Sequence, residues 1–390
     1  MKDKQIEKLI SAEKARQKKV INLIPSENYV SSDVLTALGS IFDNKYAEGY
    51  PHARYYGGQV NTDKLEELCI DRALKLFKLK KDEWHANVQP HSGSPANLAV
   101  YLALAPIGGK IMGMTLTSGG HLSHGQKVSI TGKIWQQISY GVDPKTEVLD
   151  YEALRKQALE EKPNIIVAGY TAYPRVVDFK KIREIADDCG AYMMVDMSHI
   201  AGLIAGGEYP SPFPYADVVT TTTHKTLRGP RSAIIFAKKD AREIPKKIDK
   251  AIFPGLQGGP HMGQIAGVAV ALKEAASPAF KQYAKQVKKN AKALADELIR
   301  LGWHVVSGGT DSHLVLVDTW MDGKGISGKE AEARLEKNGI ICNKNTIPAE
   351  TRSPFDPSGI RLGSPAETTR GKKEKDFVKI AQTIDRVLRK

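Results

Sequence analysis

Short apolar runs alternate along the chain with amphipathic stretches of ten or more residues, the pattern of a sheet whose strands are joined by crossover helices. Runs at 110–114, 134–140, 164–168, 191–195, 216–220 and 232–236 predict strands. Apolar positions at helical spacing predict helices over 61–77, 95–105, 178–189 and 278–301, the last lysine-rich and stopped by Gly302. Beyond it "WHVVSG", "SHLVLVDT" and "GKEAEARLEKNG" change the rhythm to that of a smaller α+β unit of about 110 residues. We therefore expect an N-terminal helical arm over 1–20, a large α/β domain over 21–277 and a small C-terminal domain over 278–390.

Length supports that division, because 390 residues exceed the ~250–300 at which one core stops growing. No apolar run approaches the ~20 residues of a bilayer span, and the lysine-rich N-terminus lacks an apolar signal region, so a cytoplasmic location without a membrane partner is expected. Cys69, Cys189 and Cys342 are odd in number and widely spaced, which suits a reducing compartment and neither a disulfide framework nor a zinc pattern. The formal charge of +13 raises the question of a nucleic-acid partner. Its carriers are dispersed, however, and the densest run, "RGKKEKDFVKIAQTIDRVLRK", reads as a helix with Phe377, Ile380, Ala381, Ile384 and Leu388 on one face and lysines in solvent. No dedicated nucleic-acid partner is expected; steering of anionic substrates is the simpler use of the charge.

Candidate chemistry gathers where apolar runs end. In "AYMMVDMSHIAG" a fully apolar strand ends in Asp196, with His199 close behind, and ligands of open α/β sheets bind beyond the carboxyl ends of strands. Alone, Asp196 would read as a helix cap. In "QPHSGSPANLAVYLAL", Ser92, Gly93 and Ser94 lie between a short strand and a helix, with Pro95 suited to the first helical position. Free backbone donors, two hydroxyls and a glycine make an anion cradle at a positive helix end, and neither the nucleotide P-loop spacing nor GxGxxG is present. In "VVTTTTHKTLRGPRSAIIF" a strand delivers Lys225 to the same sheet edge, where threonine hydroxyls and His224 are expected to bond anionic oxygens and Arg228 and Arg231 to lower the lysine pKa. A lysine for an imine, an aspartate for a ring nitrogen and a helix N-terminus for a phosphate together specify pyridoxal phosphate.

Other stretches extend the site. "SGIRLGSP" places Arg361 between turn glycines, where its fork can hold a substrate carboxylate. "NKYAEGYPHARYYGG" concentrates Tyr46, Glu48, Tyr50, Tyr55 and Tyr56 in a glycine-broken, nonperiodic stretch that reads as a functional loop, with Glu48 available for proton transfer. In "GGHLSHG", His121 and His124 have no accompanying carboxylate or cysteine pattern, so no metal site is expected and His121 is assigned to stacking on a flat cofactor. Gly258 and Gly259 of "FPGLQGGPH" can lend backbone N–H groups to an anion.

With these pieces in order the chain resembles the serine hydroxymethyltransferase family over nearly its whole length. The resemblance is carried by "LIPSENYVS", "NKYAEGYPHARYYGG", "QPHSGSPAN", "GGHLSHG", "VDMSHIAG", "TTTTHKTLRGPR", "FPGLQGGP", "VSGGTDSHL", "NKNTIP" and "SPFDPSGIRLG". It implies a fold-type I pyridoxal-phosphate enzyme: a large domain with a mixed, mostly parallel sheet flanked by helices, and a smaller α+β domain. The implied reaction is reversible transfer of the serine hydroxymethyl carbon to tetrahydrofolate, giving glycine and 5,10-methylenetetrahydrofolate through aldimine and quinonoid intermediates. Pyridoxal phosphate would be held covalently on Lys225, with Asp196 on its ring nitrogen and His121 stacked on the ring. Ser92, Gly93, Ser94 and His224 would bind phosphate, joined by Tyr46, Gly258 and Gly259, the two glycines coming from a partner subunit. Thr171 stands where many members carry a serine against the ring hydroxyl.

Arg361 would hold the substrate carboxylate, assisted by Ser26 and His199. Glu48 and Tyr56 would reach in from the other subunit, while Thr222 would help order proton transfers. Glu48, Tyr55, Leu116, Gly120, Leu122, Asn345, Ser353, Pro354 and Phe355 would line the folate site. A homodimer with shared active sites is implied, or a dimer of dimers. Ser232-Ala233 and His261 depart from the family pattern, and both termini are short. The competing readings are a folate-independent threonine or β-hydroxy amino acid aldolase, which would need neither "NKNTIP" nor "SPF", and a basic nucleic-acid-binding protein.

Overall fold

The computed structural model describes residues 1–389. Seven strands form the central sheet: β1 (Trp84–Asn87), β2 (Lys110–Met114), β3 (Gln136–Tyr140), β4 (Ile165–Gly169), β5 (Tyr192–Asp196), β6 (Val218–Thr222) and β7 (Ala233–Lys238). Their spatial order is β1-β7-β6-β5-β4-β2-β3. Strands β2 to β6 run parallel, and β7 is antiparallel to both β6 and β1. The near-continuous apolar character of β4 and β5 follows from helices covering both faces. Successive residues therefore enter opposite cores: Ile166 and Ala168 of β4 join one cluster, Ile165 and Val167 the other.

Local signals set the flanking helices. Helix Phe179–Cys189 starts at Asp178, whose side chain accepts from the Lys181 N–H, and stops at Gly190 in the left-handed region. Its Phe179, Ile182, Ile185 and Ala186 are buried at helical spacing. Helix Pro278–Arg300 is capped by Ser277 and opens on proline, where the missing N–H costs nothing. Three expected boundaries shift. The first part of the run at 134–140 closes the short helix Ile130–Ile134, capped by Ser129, before β3 begins. Strand β6 starts two residues late, at Val218, with the Asp217 side chain just before it held by Arg183, Arg242 and the Met193 N–H. The helix after the cradle begins at Gly93, so Pro95 is its third residue, still within the turn whose N–H groups have no intrahelical acceptor.

The C-terminal part builds a second sheet from β8 (His304–Val305), β9 (Leu314–Asp318), β10 (Asn343–Asn345) and β11 (Gly359–Gly363), ordered β8-β9-β11-β10 and antiparallel throughout. Its core includes Val315, Val317, Leu362 and the apolar face of helix Glu374–Leu388. Complete burial of Phe377 alone stabilises this core by roughly 1.5–3 kcal/mol. Residues Ile21–Asn22 pair in parallel with Ile340–Ile341, and Leu23 lies in the same core, so the segment after the first helix packs with the C-terminal sheet. That first helix, Lys4–Lys19, buries no residue. Among the described residues no helix is long and apolar enough to cross a membrane.

Candidate active site

The carboxyl ends of β5 and β6, the N-terminus of helix Gly93–Leu104 and strand β11 surround a cavity of about 410 Å³. Strand β6 ends at Thr222, and the chain turns to bring Lys225 into the cavity wall with only 9% of its surface exposed. The run of hydroxyls turns out to be mostly internal bracing. Thr220 donates to Asn97 Oδ1 (2.8 Å), Thr221 to the Thr222 carbonyl (2.8 Å), Thr223 to the Pro230 carbonyl and Thr226 to the His199 carbonyl (2.9 Å). Of Thr220 to Thr223 only Thr222 lines the cavity, its hydroxyl buried without a partner, which corrects the expectation of several threonines on an anion.

Burial lowers the Lys225 pKa to about 8; Asp196 opposes the shift, while Arg361 and Arg231 add to it. Arg228 does not take the expected part, because its guanidinium lies over the Tyr283 ring at 4.9 Å. Asn28 holds the lysine's main chain: its Nδ2 donates to the Lys225 carbonyl (2.9 Å) and to the Tyr283 hydroxyl (2.7 Å).

Asp196 closes β5, and its Oδ2 lies 2.9 Å from Asn97 Nδ2 and 3.1 Å from His124 Nε2, while Oδ1 accepts from the Ser198 N–H. Burial alone would raise this carboxyl, but the His124 hydrogen bond and charge, Lys225 and Ser198 outweigh it and hold the group well below the usual carboxylate range. It stays ionised at neutral pH. His121 stands in the same wall, its Nδ1 2.7 Å from Ser123 Oγ. Burial and His124 depress its pKa to about 4, with Lys225 and Arg361 assisting against Asp196, so it presents a neutral ring.

Asn97 and His124 join the site beyond the residues the sequence points to. Asn97 is a polar residue on an otherwise apolar helix three positions after Ser94, a signal that was available in the sequence. Spacing alone offers His124 only as a metal ligand; its bond to Asp196 crosses 72 residues and has no local signature.

The phosphate end meets a direct test of fit. The helix at Gly93 starts without a side-chain cap, and a Cβ on Gly93 would stand 2.7 Å from Thr222 Cγ2, so only glycine lets the helix start approach β6 this closely. His224 Nδ1 is buried and unpartnered, and Nε2 of the same ring lies 3.4 Å from Arg231 Nη1. Burial, Lys225 and Arg231 press that imidazole to about 3. Three cations, Lys225, Arg231 and Arg361, therefore border a cavity whose single carboxylate, Asp196, is bonded to His124. A dianionic phosphate and a carboxylate are what this donor set can satisfy.

Arg361 reaches the cavity from β11. Its Nε donates to Asn343 Oδ1 (3.1 Å) and Nη1 to the Thr171 carbonyl, tying the small sheet to the loop after β4. Burial brings its pKa to about 10, and it remains cationic at neutral pH. Ser26, His199 and Asn345 border the same space. Thr171 does too, but its hydroxyl donates to the Gly119 and Gly120 carbonyls (3.2 and 3.1 Å), leaving an acceptor for the cavity.

Other candidates lie outside this wall. Leu116 approaches it through its carbonyl, which accepts from Thr346 beside Asn345 (3.2 Å). A Cβ on Gly120 would meet the Met114 carbonyl oxygen at 2.0 Å, so the tight loop there demands glycine. Leu122 is 48% and Phe355 84% exposed, and Ser353 and Pro354 are also exposed. Glu48, Tyr46, Tyr55, Tyr56, Gly258 and Gly259 do not line the cavity of their own chain. They share another patch: Tyr46 OH is 3.3 Å from Glu48 Oε1, and a Cβ on Gly258 or Gly259 would stand 2.9 Å from Glu48 Oε1 or 3.4 Å from Tyr46.

The seven-stranded, mostly parallel sheet with a buried lysine and an ionised aspartate at its carboxyl edge defines a fold-type I pyridoxal-phosphate enzyme. Residues 1–384 match the family described as serine hydroxymethyltransferase. A serine hydroxymethyltransferase of Desulfotalea psychrophila is 55% identical over 386 residues, covering 99% of this chain and 88% of the relative. The chain belongs to the serine hydroxymethyltransferase family, whose members depend on pyridoxal phosphate and use tetrahydrofolate as co-substrate.

Proposed function

We propose that the chain catalyses reversible transfer of the hydroxymethyl carbon of serine to tetrahydrofolate, forming glycine and 5,10-methylenetetrahydrofolate. The observation that carries this reading is the meeting of Lys225, Asp196, Arg361 and the Gly93 helix end in one cavity. Bound pyridoxal phosphate supplies an aldehyde that condenses with amines and a ring that withdraws electrons from the carbon whose bond breaks.

The chain's residues make that chemistry accessible at neutral pH. A lysine with pKa about 8 is roughly one-tenth neutral at pH 7, against less than about one-thousandth for an ordinary lysine, so Lys225 is the nucleophile toward the aldehyde. Asp196, held ionised, would pair with the ring nitrogen and favour its protonated form. Neutral His121, in the cavity wall, would stack on the cofactor ring. Ser92, Gly93, Ser94 and His224 receive phosphate, while Arg361 with Ser26 and His199 receives the amino-acid carboxylate. Thr222, with its unengaged hydroxyl, orders proton movement beside Lys225.

Glu48 and Tyr56 complete the site from a second copy of the chain, with Tyr46, Gly258 and Gly259 adding to the phosphate end. Their common patch, separate from their own cavity, supports a homodimer with shared sites. Leu116, Gly120, Leu122, Asn345, Tyr55 and residues 353–355 border the folate. We assign residues 21–277 to the cofactor domain and 278–390 to the small domain, with 21–23 crossing to the latter's strands. The three unpaired cysteines favour a cytoplasmic setting.

Visible spectra test the proposal: purified protein should be yellow, should change modestly with glycine, and should gain an intense red-shifted band only when tetrahydrofolate is also added. Serine cleavage that tetrahydrofolate does not accelerate would instead identify a folate-independent aldolase.

A further inference from the structure

Behind His199 stands a second buried imidazole to which no task has been given. His313 directly precedes β9, and its Nε2 lies 3.1 Å from His199 Nδ1, with ring centroids 5.3 Å apart. The two side chains come from the turn after β5 and the bend before β9, and the backbone at each is tied down. The His199 carbonyl accepts from Thr226, one residue after Lys225, and the His313 carbonyl accepts from the Ser364 N–H (3.0 Å), three residues after Arg361.

Both rings are neutral. Burial, with Lys225, Arg361 and neighbouring histidines, depresses His199 far below its ordinary range, and burial with Arg361 and Lys225 takes His313 to about 3. Two neutral imidazoles sharing a hydrogen bond need one donor and one acceptor, so the hydrogen on His313 dictates which nitrogen of His199 carries its own. His313 Nδ1 has no hydrogen-bond partner in the protein. A buried N–H tolerates that condition less well than a bare acceptor does, which puts the His313 hydrogen on Nε2. His199 Nδ1 is then the acceptor, and its hydrogen resides on Nε2, the nitrogen left for the cavity. A substrate carboxylate only accepts, so this is the tautomer it requires.

We infer that His313 is a positioning residue: it donates Nε2–H to His199 Nδ1 and thereby fixes His199 as a hydrogen-bond donor to the carboxylate of the amino-acid substrate. The carboxylate part rests on the function proposed above; the tautomer itself does not.

The holoenzyme allows both to be tested. In wild-type protein with ¹⁵N-labelled histidine, the His199 signals, assigned by their loss in His199→Asn, should show a protonated Nε2 and a bare Nδ1. The opposite pattern in the wild-type protein overturns the inference. Titrations of cofactor absorbance with glycine and with glycinamide then read the consequence. His313→Leu should weaken glycine about 5- to 100-fold, the range for a buried polar group deprived of its partner, and change glycinamide less than about 3-fold. His313→Gln, whose amide nitrogen replaces the donor, should bind glycine within about 3-fold of wild type. Equal losses for both ligands in His313→Leu, or no rescue by glutamine, would reduce His313 to a packing residue. Arg361→Lys serves as the separate control: if it leaves glycine affinity unchanged, the carboxylate assignment fails whatever the tautomer proves to be.

Discussion

Two stretches dense in polar side chains, 196–231 and 46–56, exist under opposite physical conditions. In the first, the bracing groups are matched within the chain, Asp196 by Asn97, His124 and Ser198, and Thr220, Thr221, Thr223 and Thr226 by carbonyl or amide oxygens, while Thr222 Oγ1 and His224 Nδ1 stay open toward the cavity. In the second, Tyr46, Tyr55 and Tyr56 are 58%, 80% and 47% exposed, and Tyr56 makes edge-on contacts with the other two. This loop is nevertheless firmly held from below. Arg54, whose side chain is 3% exposed, donates to the Ala47 and Gly49 carbonyls (2.9 and 2.8 Å) and pairs with Asp63 and the buried Glu66. A fixed backbone under unmatched aromatic tips differs from a merely loose loop: it has the form of a surface shaped for another molecule.

The largest effect should come from the matched region. Lys225→Ala should lower serine-to-glycine turnover at least about 10⁴-fold, the scale of losing a reacting group, and abolish borohydride-fixed cofactor label at that peptide. Turnover within tenfold of wild type would remove Lys225 from the chemistry. Next, Glu48→Gln should be severely impaired by itself, yet mixing its chains with Lys225→Ala chains should restore about a quarter of wild-type activity, because half the dimers would then own one intact site. No recovery in verified mixed dimers would mean that the tyrosine patch does not serve a neighbour's cavity.

The smallest effect is a slope. A folded-state pKa of about 8 for Lys225 lies below the ~10.4 of an unfolded lysine, so below pH 8 the group opposes folding, and that opposition fades as pH rises from about 8 to about 10.4. Uptake of pyridoxal phosphate by apoprotein should quicken about tenfold per pH unit up to about 8 and then level off. A rate still climbing at pH 10 would return the amine to ordinary lysine behaviour.

Much of the fold was legible because its signals are local. Strand β2 and the buried face of helix Glu374–Leu388 follow from runs and spacing of a few residues, and Asp178 and Gly190 mark helix ends by their own conformational preferences. The parallel pairing of Ile21–Asn22 with Ile340–Ile341 joins residues over 300 positions apart through two-residue strands, and periodicity cannot reveal that. The candidate site divides in the same way. Lys225 and Asp196 are placed by the ends of apolar strands, whereas the fate of each threonine hydroxyl depends on partners such as Asn97 and Pro230 that only the folded chain brings near. That Arg361 joins Arg231 in acting on Lys225 where Arg228 was expected has the same origin, since Tyr283 draws Arg228 away.

The double tether of Arg361, to Asn343 in its own sheet and to the Thr171 carbonyl across the junction, sets the plane of its fork before any ligand arrives. The rotational freedom that a long side chain would otherwise surrender on capture has already been lost during folding, so ligand recognition inherits the rigidity of the seam between the two sheets. Mild heating or sub-denaturing urea that loosens this seam should accordingly blunt amino-acid affinity while the individual cores are still intact.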